Sequence, residues 1–368
     1  MKILIVGAGF AGASSARLLA EAGHQILIID VRDHIGGNAY DYYDEHGIMV
    51  HKYGPHIFHT NSERVFDFLS RFTQWRVYEH RVLSSVSGRL YPIPINRRTL
   101  SMVEGRELTE QEAALYIERS RIPIDHPTNS EQVVLNSVGN KLCDMFFRGY
   151  TRKQWALELE DLAVGVAARI PTRTNDDDRY FTDKYQCMPL EGYTALFKNM
   201  LDHRSITVEL GVDYFVDNES RSYDHVIYTG SIDKYFDYCL GPLPYRSLRF
   251  EHTHHSNCYS WQPVGTINYP NENAYTRITE VKKLTGQESF GTSLVTEYPT
   301  SEGDPYYPIP TQKNNELFSK YANMGEKEKN VSFVGRLAEY KYYNMDQVVA
   351  SSMTVAKRLI TKFKKIEK

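Results

Sequence analysis

Apolar and polar positions fall first into a strand–helix–strand unit. Ile3-Leu4-Ile5-Val6 is a short unbroken apolar run, as a buried strand requires. After Gly7-Ala8-Gly9-Phe10-Ala11-Gly12 comes an Ala/Leu-rich helix, and Ile26-Leu27-Ile28-Ile29 forms a second buried strand that ends on Asp30. Residues 51–61 break the pattern. They are dense in polar rings and turn formers and read as a loop, either one presenting His56 and His59 to a site or a solvated surface loop. Residues 79–94 alternate apolar and polar around Ser87-Gly88, which predicts a hairpin ended by Pro92 and Pro94. From Ser101 to Trp155 the reading is mostly helical, with Val134, Val138, Leu142 and Met145/Phe146 close to one helix face after Asn129-Ser130. Ile206 to Val212, Val226 to Tyr228 and Val331 to Val334 predict further strands, the last two running into Gly230 and Gly335. Arg246 to Tyr298, rich in Thr, Tyr and Ser with short alternations, predicts an antiparallel sheet, and an amphipathic helix is predicted from about Asp346 to Phe363.

The first unit has the context of a dinucleotide site. Gly7 permits a tight turn, Gly9 a close backbone approach to a pyrophosphate, and Gly12 close packing of helix on strand. The helix N-terminus offers unpaired N–H groups to phosphate, and Asp30 can accept from ribose hydroxyls. Gly36-Gly37-Asn38 suggests a second place where the backbone runs close to a ligand. An ADP-containing cofactor is the expectation.

Composition narrows the partners. Forty-three basic against 46 acidic residues, a net charge of −3, give no argument for nucleic acid or an anionic membrane, so any anion must meet locally placed arginines and amides. Cys143, Cys187, Cys239 and Cys258 contain no CxxC pair, which fits reduced thiols in a cytoplasmic protein better than zinc or a disulfide framework; no metal is expected. The chain opens directly on a strand, which leaves no room for a signal peptide, and no run of about eighteen apolar residues predicts a membrane span.

Several segments, taken in order, resemble the bacterial UDP-galactopyranose mutases. They are Gly36 to Tyr40, His51 to Asn61, Phe146-Phe147-Arg148-Gly149-Tyr150-Thr151-Arg152-Lys153-Gln154-Trp155, Tyr275 to Glu280, Pro305 to Pro308, and Gly335 to Tyr343. The resemblance implies interconversion of the pyranose and furanose forms of a nucleotide-diphosphate sugar, most simply UDP-galactopyranose to UDP-galactofuranose. The family uses reduced FAD without net redox change, through a bond between flavin N5 and the anomeric carbon, so the cofactor carries the hard chemistry. It further implies a homodimer, an external NAD(P)H or reductase to reduce the flavin, and a product destined for cell-surface polysaccharide.

Carried onto this chain, the resemblance places Arg169 on a mobile loop that closes on the diphosphate and makes Arg277 the second diphosphate arginine, the cations best suited to that anion. Tyr150, Tyr307 and Tyr342 match hydroxyl donors to phosphate, Tyr180 matches the aromatic stacked on uracil, and Phe146 and Phe147 flank the base. Trp155 lines the sugar; His59 and Arg336 lie near flavin and sugar; Arg246 and Glu297 are polar residues of the same cleft. For the cofactor the corresponding set is Gly7, Gly9, Phe10, Gly12, Asp30, Gly37, Asn38, His56, Gly335, Arg336 and Met345. The acidic run Asp176-Asp177-Asp178 would oppose a diphosphate and is assigned no role.

Two positions depart from the family pattern. Asn344 stands where an aspartate usually precedes Met345, and His80 where an asparagine lies near the cleft; Pro55 agrees with the galactose enzymes rather than with N-acetyl-sugar variants. Another nucleotide sugar such as dTDP-fucopyranose therefore stays open, as do a flavin or NAD(P) oxidoreductase, for which Arg32 is a candidate 2′-phosphate contact, and an inactive nucleotide-sugar binder. The expected fold is α/β. A discontinuous Rossmann-like FAD domain (residues 1–78, 187–230 and 318–368) receives an inserted helical domain with the mobile loop (95–170), and an antiparallel sheet domain (79–94, 171–186 and 231–317) holds much of the cleft.

Overall fold

The turn after Val6 needs its strand inside a parallel sheet. In the computed structural model, which describes residues 1–168, 170–217 and 222–366, Lys2–Val6 is the central strand of five parallel ones. Their order is Ile206–Leu210, Gln25–Asp30, Lys2–Val6, His225–Tyr228, Val331–Phe333. The strand order reverses between Lys2–Val6 and His225–Tyr228. A crevice for a ligand opens at the carboxyl ends of strands at such a switch point. Ile3, Ile5, Leu19, Ile28 and Phe197 fill the core with Val349 and Phe363 of the last helix, Met345–Ile366. The Rossmann-like reading of the chain is therefore correct, with the strands and final helix close to where the apolar pattern put them.

A second sheet carries most of the chemistry. Its seven strands run in the order Tyr307–Pro308, Tyr245–His255, Thr292–Thr300, Arg277–Glu280, Thr266–Asn268, Val82–Val86, Arg89–Ile93. The hairpin forms as expected, with Ser87 (φ 50°) and Gly88 (φ 75°) as the two left-handed turn residues. One seam corrects the all-antiparallel expectation: Thr266–Asn268 pairs parallel with Val82–Val86. Alternation along a strand fixes which face is buried, but it carries nothing about the direction of a neighbour from a distant part of the chain.

Against this sheet pack helices Arg97–Glu104, Glu110–Ser120, Ser130–Cys143 and Gly149–Trp155. Val134, Val138, Leu142 and Phe146 are buried together, as their spacing predicts. The long helix is not straight, however. Gly139 (φ 76°) breaks it, and only glycine fits there, since a Cβ would lie 1.8 Å from the carbonyl oxygen of Ser120 at the end of the neighbouring helix. Asp144–Arg148 is a π-helical turn, a rare geometry that recurs at functional sites, and it carries both Phe146 and Phe147.

Residues 51–61 are a second correction. Met49–His51 and Phe58–Thr60 are strands, the latter in a three-stranded sheet with Tyr185–Pro189 and Trp75–Val77. His51, Phe58 and Thr60 are buried. The imidazoles disguise the core because they enter it neutral: burial pushes His51 down to about 4 and His56 to about 3. Among the described residues no helix is long and apolar enough to cross a membrane, no cluster of metal-ligating side chains occurs, and all four cysteines are unpaired.

Candidate active site

The crevice at the switch point is made mostly of backbone. Gly7 has φ +107°, and a Cβ there would meet Thr229 Oγ1 at 2.1 Å; a Cβ on Gly12 would lie 1.9 Å from the Gly7 carbonyl oxygen. The two glycine turns face each other, since a Cβ on Gly37 would come within 3.0 Å of Gly9 Cα. Helix Phe10–Glu21 opens on Gly9 with no side-chain cap, so its first N–H groups point unclaimed toward this cradle. Gly335 (φ +107°) closes the remaining side, 3.0 Å from Ala11 by the same measure.

Asp30 accepts from Ala8 N–H (2.7 Å) and Arg32 N–H (2.9 Å), one on each oxygen, which leaves further lone pairs for a ribose. Arg32 is committed elsewhere. It donates to Asn38 Oδ1 (2.9 Å), pairs with Asp304 (3.2 Å) and lies over the Tyr53 ring. That arrangement leaves little cation for a 2′-phosphate. Phe10 enters only through its backbone, because its ring is a core residue against Phe197 and Tyr193. His56 bonds the Gly54 carbonyl through Nδ1 (2.9 Å), which puts the proton on Nδ1 and leaves Nε2 an acceptor. Met345 begins the final helix, packed against the core.

Beside the crevice, side chains from distant segments converge. Arg277 and Glu297 face each other across adjacent antiparallel strands, with Arg277 Nε 3.6 Å from Glu297 Oε2. Arg277 also donates to the Tyr150 hydroxyl. Burial lowers the affinity of Arg277 for its proton, but Glu297 first and then Tyr150, Tyr307 and Tyr180 outweigh it, so the guanidinium stays firmly cationic. Burial raises the Glu297 carboxyl despite the arginine, and burial likewise pushes Tyr150 up to about 12. Because the Tyr150 oxygen accepts from Arg277, its own proton is available to an anion.

Trp155, Tyr307 and Tyr342 form an aromatic wall, with ring centroids 5.7 Å (Trp155–Tyr342) and 5.3 Å (Tyr307–Tyr342) apart. Arg336 lies over both tyrosines and is anchored on the carbonyls of Tyr306 and Tyr343. It directly follows Gly335, so the crevice and the aromatic wall meet at these two residues. Tyr180 and Phe147 pack with Phe146 on the helical core. His59 is held by Asp183 (Nδ1 to Oδ2, 2.9 Å) and stacks on Phe181, whose other neighbours are His80 and Tyr180. His80 bonds the Tyr78 hydroxyl; burial first and the Arg277 charge second push it to about 3, so it is neutral.

One expected contact is reassigned. Arg246 is buried and gives its donors to Gln154 O (2.9 Å), Lys153 O (3.2 Å) and Ser301 Oγ (2.5 Å). It satisfies the last carbonyls of helix Gly149–Trp155 and so supports Trp155 from behind. Arg169 lies outside the described residues. The sequence reading passed over Asp183, Phe181 and Lys153, although Lys153 lies inside a quoted segment and Phe181 adjoins Tyr180. Lys153 stands at i+3 from Tyr150, on the same helix face.

A family profile described as "UDP-galactopyranose mutase" matches residues 145–342, and one described as "NAD(P)-binding Rossmann-like domain" matches residues 5–72. A Klebsiella pneumoniae protein described as "Probable UDP-galactopyranose mutase" is 40% identical over 98% of this chain and 94% of its own. The chain belongs to the UDP-galactopyranose mutase family. A dTDP-fucopyranose mutase of Escherichia coli is 39% identical over 98% of each chain. A reduced UDP-galactopyranose mutase crystal structure shares the fold, with TM-score 0.77 at 18% identity over 98% of this chain and 95% of that one. Membership of this family, together with the dinucleotide fold, implies a flavin cofactor. The glycine cradle fits one, since side chains at Gly7, Gly12 or Gly37 would fill the space or displace its walls.

Proposed function

We propose that this protein interconverts the pyranose and furanose forms of a nucleotide-diphosphate sugar, UDP-galactose first, with reduced FAD. The single observation that carries the reading is the placement of Arg277, Tyr150 and Glu297 beside the Trp155–Tyr307–Tyr342 wall, joined to the glycine cradle through Gly335-Arg336. Gly7, Gly9, Gly12, Asp30, Gly37, Asn38, His56, Gly335 and Met345 would hold the dinucleotide. When bound and reduced, the flavin supplies a nucleophile for the anomeric carbon with no net redox change.

The chain's own residues do the rest. Arg277 presents a fixed cation to the diphosphate, whose charge grows as the bond to the sugar breaks, and Tyr150, Tyr307 and Tyr342 donate hydroxyl protons to its oxygens. Tyr180 stacks on the base, with Phe146 and Phe147 flanking it. Trp155 and Arg336 confine the sugar, and His59, anchored on Asp183 through Nδ1, stands beside it. Glu297 pairs with Arg277 from the adjacent strand and keeps it in place. Arg169 completes the set as a lid contact, an external NAD(P)H or reductase keeps the flavin reduced, and the enzyme works as a cytoplasmic homodimer feeding a cell-surface glycan.

A second reading takes dTDP-fucopyranose as substrate. The near-equal identity to the Escherichia coli enzyme favours it, as do the unusual His80 and Asn344. Anaerobic turnover with dithionite-reduced and oxidised protein on UDP-galactofuranose, UDP-galactopyranose and dTDP-fucopyranose, resolved by anion exchange, separates these readings. Ring interconversion only in the reduced state is expected. Equal turnover in the oxidised state, or none with any substrate despite bound reduced FAD, would refute the proposal.

A further inference from the structure

The site's diphosphate arginine sits just beyond a loop, residues 269–276, that joins strands Thr266–Asn268 and Arg277–Glu280. Loops of this kind seldom hold a side chain to catalytic precision without support. This one is fastened to the helical segment carrying Tyr150 and Trp155. Asn271 Nδ2 donates to Met145 O (3.1 Å). Gly149 lets the loop lie flat on the helix, since a Cβ there would meet Asn271 Oδ1 at 2.3 Å and Pro270 O at 2.6 Å. Then the Lys153 ammonium donates to three loop carbonyls, those of Tyr269, Asn273 (2.9 Å) and Tyr275 (2.9 Å).

An ammonium has three N–H groups, and here all three meet backbone oxygens of one loop. No substrate is needed to satisfy Lys153, and no other polar side chain shares its bonds. Two residues past Tyr275, Arg277 reaches back to Tyr150, one helical turn from Lys153. The clasp and the arginine thus close a ring: Lys153 to loop, loop to Arg277, Arg277 to Tyr150, Tyr150 to Lys153 along the helix.

We propose that Lys153 is a positioning residue that sets the register of Arg277 against Tyr150 and thereby the affinity for the diphosphate. The inference rests on the reading of Arg277 as a diphosphate contact. A neutral amine would break the clasp, because it offers two N–H groups to three carbonyls and turns a lone pair on the third. Burial lowers the Lys153 ammonium to about 8, with Glu272 across the loop opposing that shift. The other charged and titratable groups here are Arg246, which binds the Lys153 carbonyl, and the phenols of Tyr269 and Tyr275, both raised by burial.

The test uses flavin-loaded full-length protein and two ligands, UDP and uridine, which share the base and differ in the diphosphate. Lys153→Met is expected to weaken UDP about tenfold while uridine changes less than about twofold. Adding it to Arg277→Gln should cost nothing further, because the residue it positions is already gone. In turnover KM rises more than kcat falls. Should Lys153→Met fail to load flavin, unmodified protein and Lys153→Gln carry the same question: between pH 7 and 9 the UDP affinity of unmodified protein should fall while that of uridine holds, and the UDP affinity of Lys153→Gln should stay flat. Parallel loss of UDP and uridine, additive losses in the double variant, or a flat wild-type pH profile would overturn the clasp. If Arg277→Gln alone leaves UDP affinity unchanged, it is the functional reading that fails.

Discussion

The two halves of the site are built in opposite ways. The dinucleotide crevice is made of backbone from a few short segments: two glycine turns, a helix N-terminus and Gly335. The substrate half is made of side chains sent from well-separated segments, with Tyr150 and Trp155 from one helix, Arg277 and Glu297 from neighbouring strands, and Tyr307, Arg336 and Tyr342 from later turns. Backbone sites tolerate no added atom, whereas side-chain sites tolerate many changes provided charge and anchoring survive. The contrast predicts which lesions remove the cofactor and which only remove the reaction.

The most severe effect is expected at Gly12. A methyl there would lie 1.9 Å from the Gly7 carbonyl oxygen, which is backbone and cannot swing aside. Gly12→Ala should cost about 3 kcal/mol and abolish flavin loading, seen together in the thermal midpoint and the flavin-to-protein absorbance ratio. A fully flavinated, stable Gly12→Ala protein would break the comparison at its root. Arg277→Gln tests the other half. Losing one partner of a buried pair leaves Glu297 uncompensated, so kcat/KM should fall on the order of a hundredfold, about 2–4 kcal/mol, with flavin content untouched. Loss of flavin in this variant would mean that the halves are not separable.

The same contrast governs what the chain discloses before it is folded. Glycine geometry is local, so the turn at Gly7 to Gly12 and its acid-ended partner strand are readable from spacing alone, and the parallel sheet follows. Side-chain convergence is not local. Tyr150 and Arg277 meet through pairing that no periodicity encodes, and only the family resemblance brought them together. Resemblance has its own blind spot at Arg246, where a cleft arginine was expected and a helix-end brace was found. An arginine satisfying peptide carbonyls and one awaiting phosphate look alike in a sequence, because both need the same donors. His51 and His56 misled differently: polar letters hid a buried strand and turn, since nothing in sequence announces that an imidazole will stay neutral.

Arg246 turns that lesson into a sharper measurement. Arg246→Met should destabilise by about 1–2 kcal/mol, as the terminal carbonyls of helix Gly149–Trp155 lose their donors. Nucleotide binding should weaken only modestly, through Trp155. Urea unfolding beside UDP titration separates this from direct contact, which would instead leave stability intact and weaken UDP about a hundredfold.

The smallest effects are expected at the two family departures, and they concern preference rather than strength. Asn344 enters the last helix: its carbonyl accepts from Val348 N–H (3.1 Å) and its own N–H donates to Gln347 Oε1 (2.9 Å). Aspartate and asparagine serve equally at a helix entry, so Asn344→Asp should shift stability by less than about 0.5 kcal/mol. His80 is neutral in its pocket, and His80→Asn exchanges one uncharged group for another while removing a ring packed against Tyr180 and Phe181. Neither change alters the cradle, so flavin content should hold in both. What should move is the ratio of kcat/KM for UDP-galactofuranose to that for a dTDP-linked furanose, because His80 backs Tyr180, the aromatic proposed to stack on the base. A ratio unchanged in both variants would assign these residues to neutral drift, and discrimination between uracil and thymine would then have to reside in Phe146, Phe147 and Tyr180 themselves.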